Sequence, residues 1–402
     1  MLAQRMSYLS GSGTAAAREA AAEAAGAGRH IIDLAAGEVM IEPPSSVREG
    51  AIAAINAGTS RYTDSIGLKP LRETIAEKLS AQTGIGWKTD NIAITAGAKQ
   101  GLLDAALAVL DPGDEVIIIR PCWPTFPSQV LLAGATPVFV DARPPTYTPD
   151  ISTIWATVTP RTKAIIINSP NNPTGAVYDR PTLQAVGDLA ISKQLWIISD
   201  ECYSSFVFTG VRHESIVTAH PSVRSRTILV NAFSKELAIT GWRLGYFAAP
   251  PEIVSAAKKL QSLTTSNANV IAQHAILHHL QAGDGSFERG MHERLSEARL
   301  TGLRILSGLH DVTPPPADGT FFFYLDLSRL ISALPADGPI RSSEDIARLL
   351  LDETDVGSVA GGTFGDVNGL RLSFGAPRNL LESGLKRVVK TLNSLKTTQA
   401  AA

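Results

Sequence analysis

Between about residues 90 and 250 the chain alternates short runs of β-branched and aliphatic residues with longer stretches of mixed character. The runs IAIT (92–95), EVIII (115–119), PVFV (137–140), AIII (164–167), WIIS (196–199), TILV (227–230) and LGYFA (244–248) read as strands. Residues 100–110, 181–191 and 251–260, among the stretches between them, read as helices. Strands that are apolar throughout, without polar alternation, are buried on both faces, so the pattern predicts an α/β fold with a mostly parallel sheet between helices. The texture then changes. Residues 285–310 predict one long amphipathic helix, and prolines at 314–316 interrupt the chain just after it. Beyond them, GTFFFYLDL (319–327) reads as a strand, SSEDIARLLLDE (342–353) as a helix with an N-cap signature, and GLRLSF (369–374) as another strand. These elements predict a second, smaller α/β domain. The expected division is an N-terminal arm with part of the small domain over 1–45, a large domain over 46–285 and a small domain over 286–402. The first 30 residues read as an Ala-rich helix carrying Arg and Glu.

Composition narrows the function. A chain of 402 residues is long enough for two or three domains at about 150 residues each. With 44% hydrophobic and 18% charged residues, and ordinary numbers of Gly and Pro, disordered and collagen-like readings are excluded. The net charge of -2 lacks the positive excess that nucleic acid or an anionic membrane surface demands, which leaves small molecules as the expected partners. Two cysteines, Cys122 and Cys202, are too few for a disulfide framework or a thiolate metal cage, so no metal is expected and a reducing cytoplasm fits. No stretch approaches the roughly 20 apolar residues of a membrane span, and the N-terminus has no signal-peptide core and is expected to stay on the mature protein.

Two motif matches are set aside. Gly11, Gly13 and Ala16 satisfy a dinucleotide fingerprint on paper, but no strand is predicted before them. His274 and His278 stand four apart on a predicted helix without a third ligand, and read as a solvated face. The informative segments lie at the C-terminal ends of predicted strands, where open α/β sheets bind ligands. After residues 92–95, Gly97 and Ala98 bring unhindered backbone N–H groups to a helix start suited to a phosphate, although small residues also open helices for packing reasons. After residues 164–167, NSPNNPTGAVY presents the amides of Asn171 and Asn172 from a loop whose composition is otherwise that of an ordinary turn. After residues 196–199 come Asp200, Glu201 and Tyr203. An acid at the end of a buried strand is either ion-paired within the protein or waiting for a cationic ligand. The strongest segment is AFSKELAITGWRLGY (232–246): Lys235 sits among apolar neighbours that disfavour its charged form, so it can attack an aldehyde. Ser234 and Arg243 flank it with a hydroxyl and a permanent cation, which suit a phosphate. Taken alone the segment reads as a snorkelling Lys beside an Arg; with the phosphate cradle, the acid and the amides it specifies pyridoxal phosphate.

Gly37, RYTDSIG (61–67), AGAKQ (96–100), RPCWPTF (120–126), NSPNNPTG (168–175), SDECY (199–203), FSKELAITGWRLGY (233–246), GGTFG (361–365) and GLRLSF (369–374) follow one another as in class I aminotransferases. The chain resembles the bacterial aspartate/aromatic branch of that fold-type I pyridoxal-phosphate superfamily over roughly residues 7–390. The resemblance implies a large domain with a mostly parallel seven-stranded sheet. It implies that Lys235 holds the cofactor as a Schiff base, that Asp200 pairs with the pyridine nitrogen, and that Asn172 and Tyr203 bond its phenolic oxygen. Trp123 would stack on the ring, while Ala98 and Lys99 after Gly97, with Ser234, Arg243 and Tyr62 from a second subunit, would hold the phosphate. Arg371 would clamp the substrate α-carboxylate, and Gly37 would close over the substrate beside Trp123 and Asn172. The implied function is amino transfer between an α-amino acid and a 2-oxo acid by a ping-pong cycle, in a homodimer with composite sites. The chain departs from the family at GEVMIEPP (37–44), where GEPDFDTP is common; the more apolar residues 39–41 are expected to line the substrate side chain and to lean against strict dicarboxylate specificity. A lyase, cyclase or replacement reaction on the same cofactor is the alternative, and a non-catalytic regulator is a further one.

Overall fold

All seven apolar runs pair into one sheet in the computed structural model, which describes residues 2–9, 11, 13–210 and 213–397. In chain order the strands are β1 (Ile32–Asp33), β2 (Ile92–Thr95), β3 (Glu115–Arg120), β4 (Thr136–Asp141), β5 (Thr162–Asn168), β6 (Trp196–Asp200), β7 (Thr227–Ala232), β8 (Gly245–Ala248), β9 (Phe322–Asp326), β10 (Val356–Gly357), β11 (Val359–Ala360) and β12 (Gly369–Ser373). The large sheet runs β2-β8-β7-β6-β5-β3-β4. Its neighbours are parallel except where β8 meets β2 and β7, so the expected mostly parallel α/β architecture stands.

The alternation of side chains along each central strand builds two cores from one run. Ile165, Ile167, Ile197 and Leu229 fall into the cluster on one face, while Ile166, Ile198, Ile228 and Val230 fall into the cluster on the other. Each such side chain contributes about 1.5–3 kcal/mol on full burial, and a slip of one residue would exchange the two sets. The strands extend past the ends that hydrophobicity marks. β5 continues to Asn168 and β6 to Asp200, which stand opposite each other in register. The residues at these two ends are polar, and an apolar-run criterion stops one position short of them.

The second region is smaller. β11, β12 and β9 form an antiparallel sheet with β12 in the middle, and β1 pairs parallel with β10, which ties the segment around residue 32 to the chain beyond residue 355. The strand expected over 319–327 is regular only from Phe322 to Asp326, because Thr320 has a φ of 64° that breaks the extended run. The long helix spans Ser286–Leu306, and the Ala-rich one spans Gly13–Gly26. Gly13 begins that helix with no strand before it among the described residues, which disposes of the dinucleotide fingerprint. No helix among the described residues is long and apolar enough to cross a membrane.

The expected N-cap is present: Ser342 precedes the helix Ser343–Thr354 and its Oγ accepts a bond from the Asp345 backbone N–H at 3.3 Å. Ser342→Ala should therefore destabilise the protein by about 1 kcal/mol, and Ser342→Asp by much less, read as shifts in the denaturant midpoint. Equal midpoints for wild type and Ser342→Ala would refute the capping role.

Candidate active site

The ends of β5, β6 and β7, the start of the helix Ala98–Val109 and the middle of β12 surround a cavity of about 700 Å³. Lys235 stands on a single helical turn, Phe233–Glu236, directly after β7. Its Nζ donates to the Gly37 carbonyl at 2.6 Å, and burial pushes its pKa down to about 8. Asp200, the last residue of β6, is buried; the Cys202 backbone N–H donates to its Oδ1 at 3.1 Å, and burial pushes its pKa up to about 6. The base and the acid are thus both held toward their neutral forms, the state that burial imposes on charges without a full partner.

Tyr203 lies buried against the edges of Phe321 and Phe322, with ring centroids 5.6 and 5.9 Å away. Burial raises its phenol pKa, so the hydroxyl remains a proton donor. Asn172, in the loop after β5, is anchored by its backbone N–H donating to Asn168 Oδ1 at 2.8 Å. Its side-chain oxygen accepts from Arg371 Nη1 at 2.9 Å.

One end of the cavity is cationic. Gly97 has a φ of 78°, and a Cβ there would lie 2.7 Å from Arg243 Nη2. The helix opens at the next residue, so the Ala98 and Lys99 N–H groups have no intrahelical acceptor. A Cβ at Gly245 would come within 2.8 Å of the Ala98 nitrogen, so two glycines keep this cradle open. Ser234 and Arg243 border it from the segment after β7. The Lys99 ammonium lies 5.1 Å from the Trp123 ring centroid, with its pKa lowered by burial and then by Arg243.

Arg371 also lines the cavity. It is 2% exposed, lies against the rings of Phe322 and Phe364 at 4.2 and 5.1 Å, and donates from Nη2 to the Ala35 carbonyl at 2.9 Å. Burial lowers its pKa to about 10, and its Nε has no hydrogen-bond partner. A buried guanidinium with one unsatisfied nitrogen and no ion-pair partner among the described residues carries an uncompensated desolvation cost.

The cavity wall therefore brings together Gly37, Ala98, Lys99, Trp123, Asn172, Asp200, Tyr203, Ser234, Lys235, Arg243 and Arg371, with Gly97 directly behind it. Tyr62 stands apart, 87% exposed and outside this wall. The segment 39–41 also departs from expectation. The Met40 N–H donates to the Gly375 carbonyl, Val39 turns into the core of the smaller region and Met40 is exposed, so none of the three borders the cavity. The wall contains instead Thr14, Ala15 and Arg18 of the N-terminal helix, together with Glu38 and Thr240. Sequence reading passed over these; only the place of Glu38 beside Gly37 could have drawn attention to it.

A cationic cradle that two glycines keep open, a buried acid, a desolvated amine and a guanidinium with an orphaned nitrogen fit pyridoxal phosphate and the carboxylate of an amino acid. Comparison with known proteins agrees. Residues 29–388 match the family described as aminotransferase class I and II. The chain is 35% identical to a probable aspartate/prephenate aminotransferase of Aquifex aeolicus, over 98% of this chain and 99% of that one. It is 37% identical to an aspartate/prephenate aminotransferase of Cereibacter sphaeroides, over 96% and 97% respectively. The aspartate aminotransferase of Thermus thermophilus, solved with maleate, superimposes with a TM-score of 0.90 at 32% identity, covering 97% of this chain and 99% of that one. With the family matched over nearly its whole length, this chain belongs to the class I and II aminotransferases and is a pyridoxal-phosphate-dependent enzyme of amino-group transfer.

Proposed function

We propose that the enzyme moves the amino group of an α-amino acid, with aspartate among its donors, to a 2-oxo acid in a ping-pong cycle, using Lys235, Asp200 and Tyr203 as its catalytic groups. The observation that carries this reading is one cavity lined by a half-buried amine, Lys235, a buried acid, Asp200, and the buried guanidinium of Arg371. The donor follows the names of the relatives. The reason to expect a preference against dicarboxylates also lapses, because residues 39–41 do not border the cavity.

When bound, pyridoxal phosphate supplies an electron sink next to the substrate Cα. In this reading Asp200 keeps a proton on its ring nitrogen: a carboxyl that burial holds near pKa 6 gains a cationic partner and ionises against it. Asn172 and Tyr203 orient its phenolic oxygen, Trp123 covers its ring, and Gly97, Ala98, Lys99, Ser234 and Arg243 hold its phosphate. Arg371 fixes the substrate α-carboxylate, and Gly37 closes over the substrate. Lys235, once displaced, moves a proton between the substrate Cα and the cofactor C4'; a pKa near 8 leaves part of its amine neutral at working pH and able to act as base.

The same reading divides the chain into an arm with part of the small domain (1–45), a large domain (46–285) and the rest of the small domain (286–402). It also makes the protein a homodimer with Tyr62 completing the partner's phosphate site, supported by the exposure of Tyr62 outside its own cavity.

Lys235→Ala should lose both turnover and the dialysis-resistant visible absorbance of the bound cofactor while its far-UV dichroism stays that of wild type; borohydride labelling of another lysine would identify a different attachment point. Co-refolding inactive Tyr62→Phe and Lys235→Ala chains should restore part of the activity, and a fully active monomer in sedimentation would exclude the composite site. Arg371→Lys should lower kcat/KM by a similar factor, about 10-fold or more, for every amino donor, because all share the α-carboxylate and an ammonium lacks the planar two-bond fork. A loss confined to one donor class would move Arg371 to the side-chain end of the pocket.

A further inference from the structure

A ping-pong cycle on the proposed substrates sets one cavity a problem: it must take two side chains in turn, and these can differ in charge. A part of the wall outside the cofactor cradle holds the means to do so. Thr14, Ala15 and Arg18 fall on one face of the helix Gly13–Gly26, and all three border the cavity. Arg18 Nη2 lies 3.2 Å from Glu38 Oε1, with the two side chains 55% and 33% exposed. A pair so exposed is screened by solvent and weak. The two partners are also unequal. Glu38 Oε2 accepts a second bond from Thr240 Oγ1 at 2.5 Å, so its carboxylate stays hydrogen-bonded when Arg18 leaves. The other cations of the wall are engaged: Arg371 with the α-carboxylate in the proposed cycle, Arg243 at the cradle where it donates to the Thr240 carbonyl, and Lys99 over the Trp123 ring. Among the cations this chain places on the wall, Arg18 is the one whose partner is a solvent-screened carboxylate.

We propose that Arg18 and Glu38 form an exchangeable ion pair that sets the side-chain class the cavity accepts. This rests on the transamination reading above and names the residue that makes a dicarboxylate acceptable. With a neutral side chain the pair stays closed and presents no net charge. With an acidic side chain Arg18 leaves Glu38 for the substrate carboxylate, which it meets with two parallel N–H bonds in place of one, while Thr240 keeps Glu38 in place. Glu38 repels the acidic side chain and competes for the same guanidinium, so it sets the threshold for the exchange.

The test is binding of two unreactive probes to the cofactor-loaded enzyme by calorimetry: maleate, a dicarboxylate, and propionate, a monocarboxylate. Arg18→Gln should lower the maleate-to-propionate affinity ratio by about tenfold, and Arg18→Lys by less. Glu38→Gln should raise it, because it removes a competitor and a like charge. These opposite signs separate the exchange from a structural latch, whose loss from either side would weaken both probes together. The proposal is overturned if Arg18→Gln leaves the ratio within twofold of wild type, or if Glu38→Gln lowers it. Failure of the transamination reading has a different signature, namely no amino transfer by wild type with any donor, which the two probes do not measure.

Discussion

The structure turns on a cation buried without a counter-ion. Arg371 projects from the middle strand of the smaller sheet into a site almost closed to water, between two phenylalanine rings and with no carboxylate in ion-pair distance among the described residues. Taking a guanidinium out of water costs several kcal/mol, and the two ring faces and two hydrogen bonds offset part of that. Those two bonds reach chain segments far apart in sequence: Ala35 in the N-terminal segment and Asn172 at the end of the large sheet. One residue therefore fixes three parts of the chain around a single cavity. Its Nε has no hydrogen-bond partner, so part of the desolvation cost stays uncompensated within the chain.

The same economy governs the other two charges. A parallel sheet places all its strand ends on one side, and there Asn168, Asp200 and the turn carrying Lys235 stand next to one another. Burial moves the acid up to about 6 and the amine down to about 8, so the interval between them narrows around neutral pH. A carboxyl in this state ionises readily against a ring cation, and an amine in this state gives and takes protons readily. The fold thus prepares both groups by desolvation, before any ligand arrives.

Much of this was legible in the sequence because it follows from local rules. Seven apolar runs predicted seven strands, since strands buried on both faces have no polar alternation. Gly97 before a helix, Asp200 after an apolar run and Lys235 among apolar neighbours are each marked by the adjacent residues, and the structure gathers them around one cavity. What escaped was of two kinds. Polar strand ends lie beyond the reach of an apolar-run criterion, which placed the ends of β5 and β6 one residue early. Tertiary direction was the second: Val39 faces the interior of the smaller region because the Met40 N–H bonds to Gly375, more than 300 residues away, and no local pattern in 39–41 encodes that pairing.

The N-terminal helix makes the same point about where specificity resides. Its sequence, mostly alanine, has no amphipathic stripe strong enough to say which face is buried, and only Ala21 within it is fully enclosed. Yet the parallel pairing of β1 with β10 fixes the chain just after it, and the segment that follows carries Ala35 under Arg371 and Gly37 against Lys235. The helix itself packs on β10 and β11, and Arg18 borders the cavity without any signal in its own sequence surroundings. Asp200, Tyr203 and Arg371 on the same wall are buried, and their surroundings constrain them. Arg18 and Glu38 are more exposed and their ion pair is screened by solvent, so the fold depends on them less than on the buried groups.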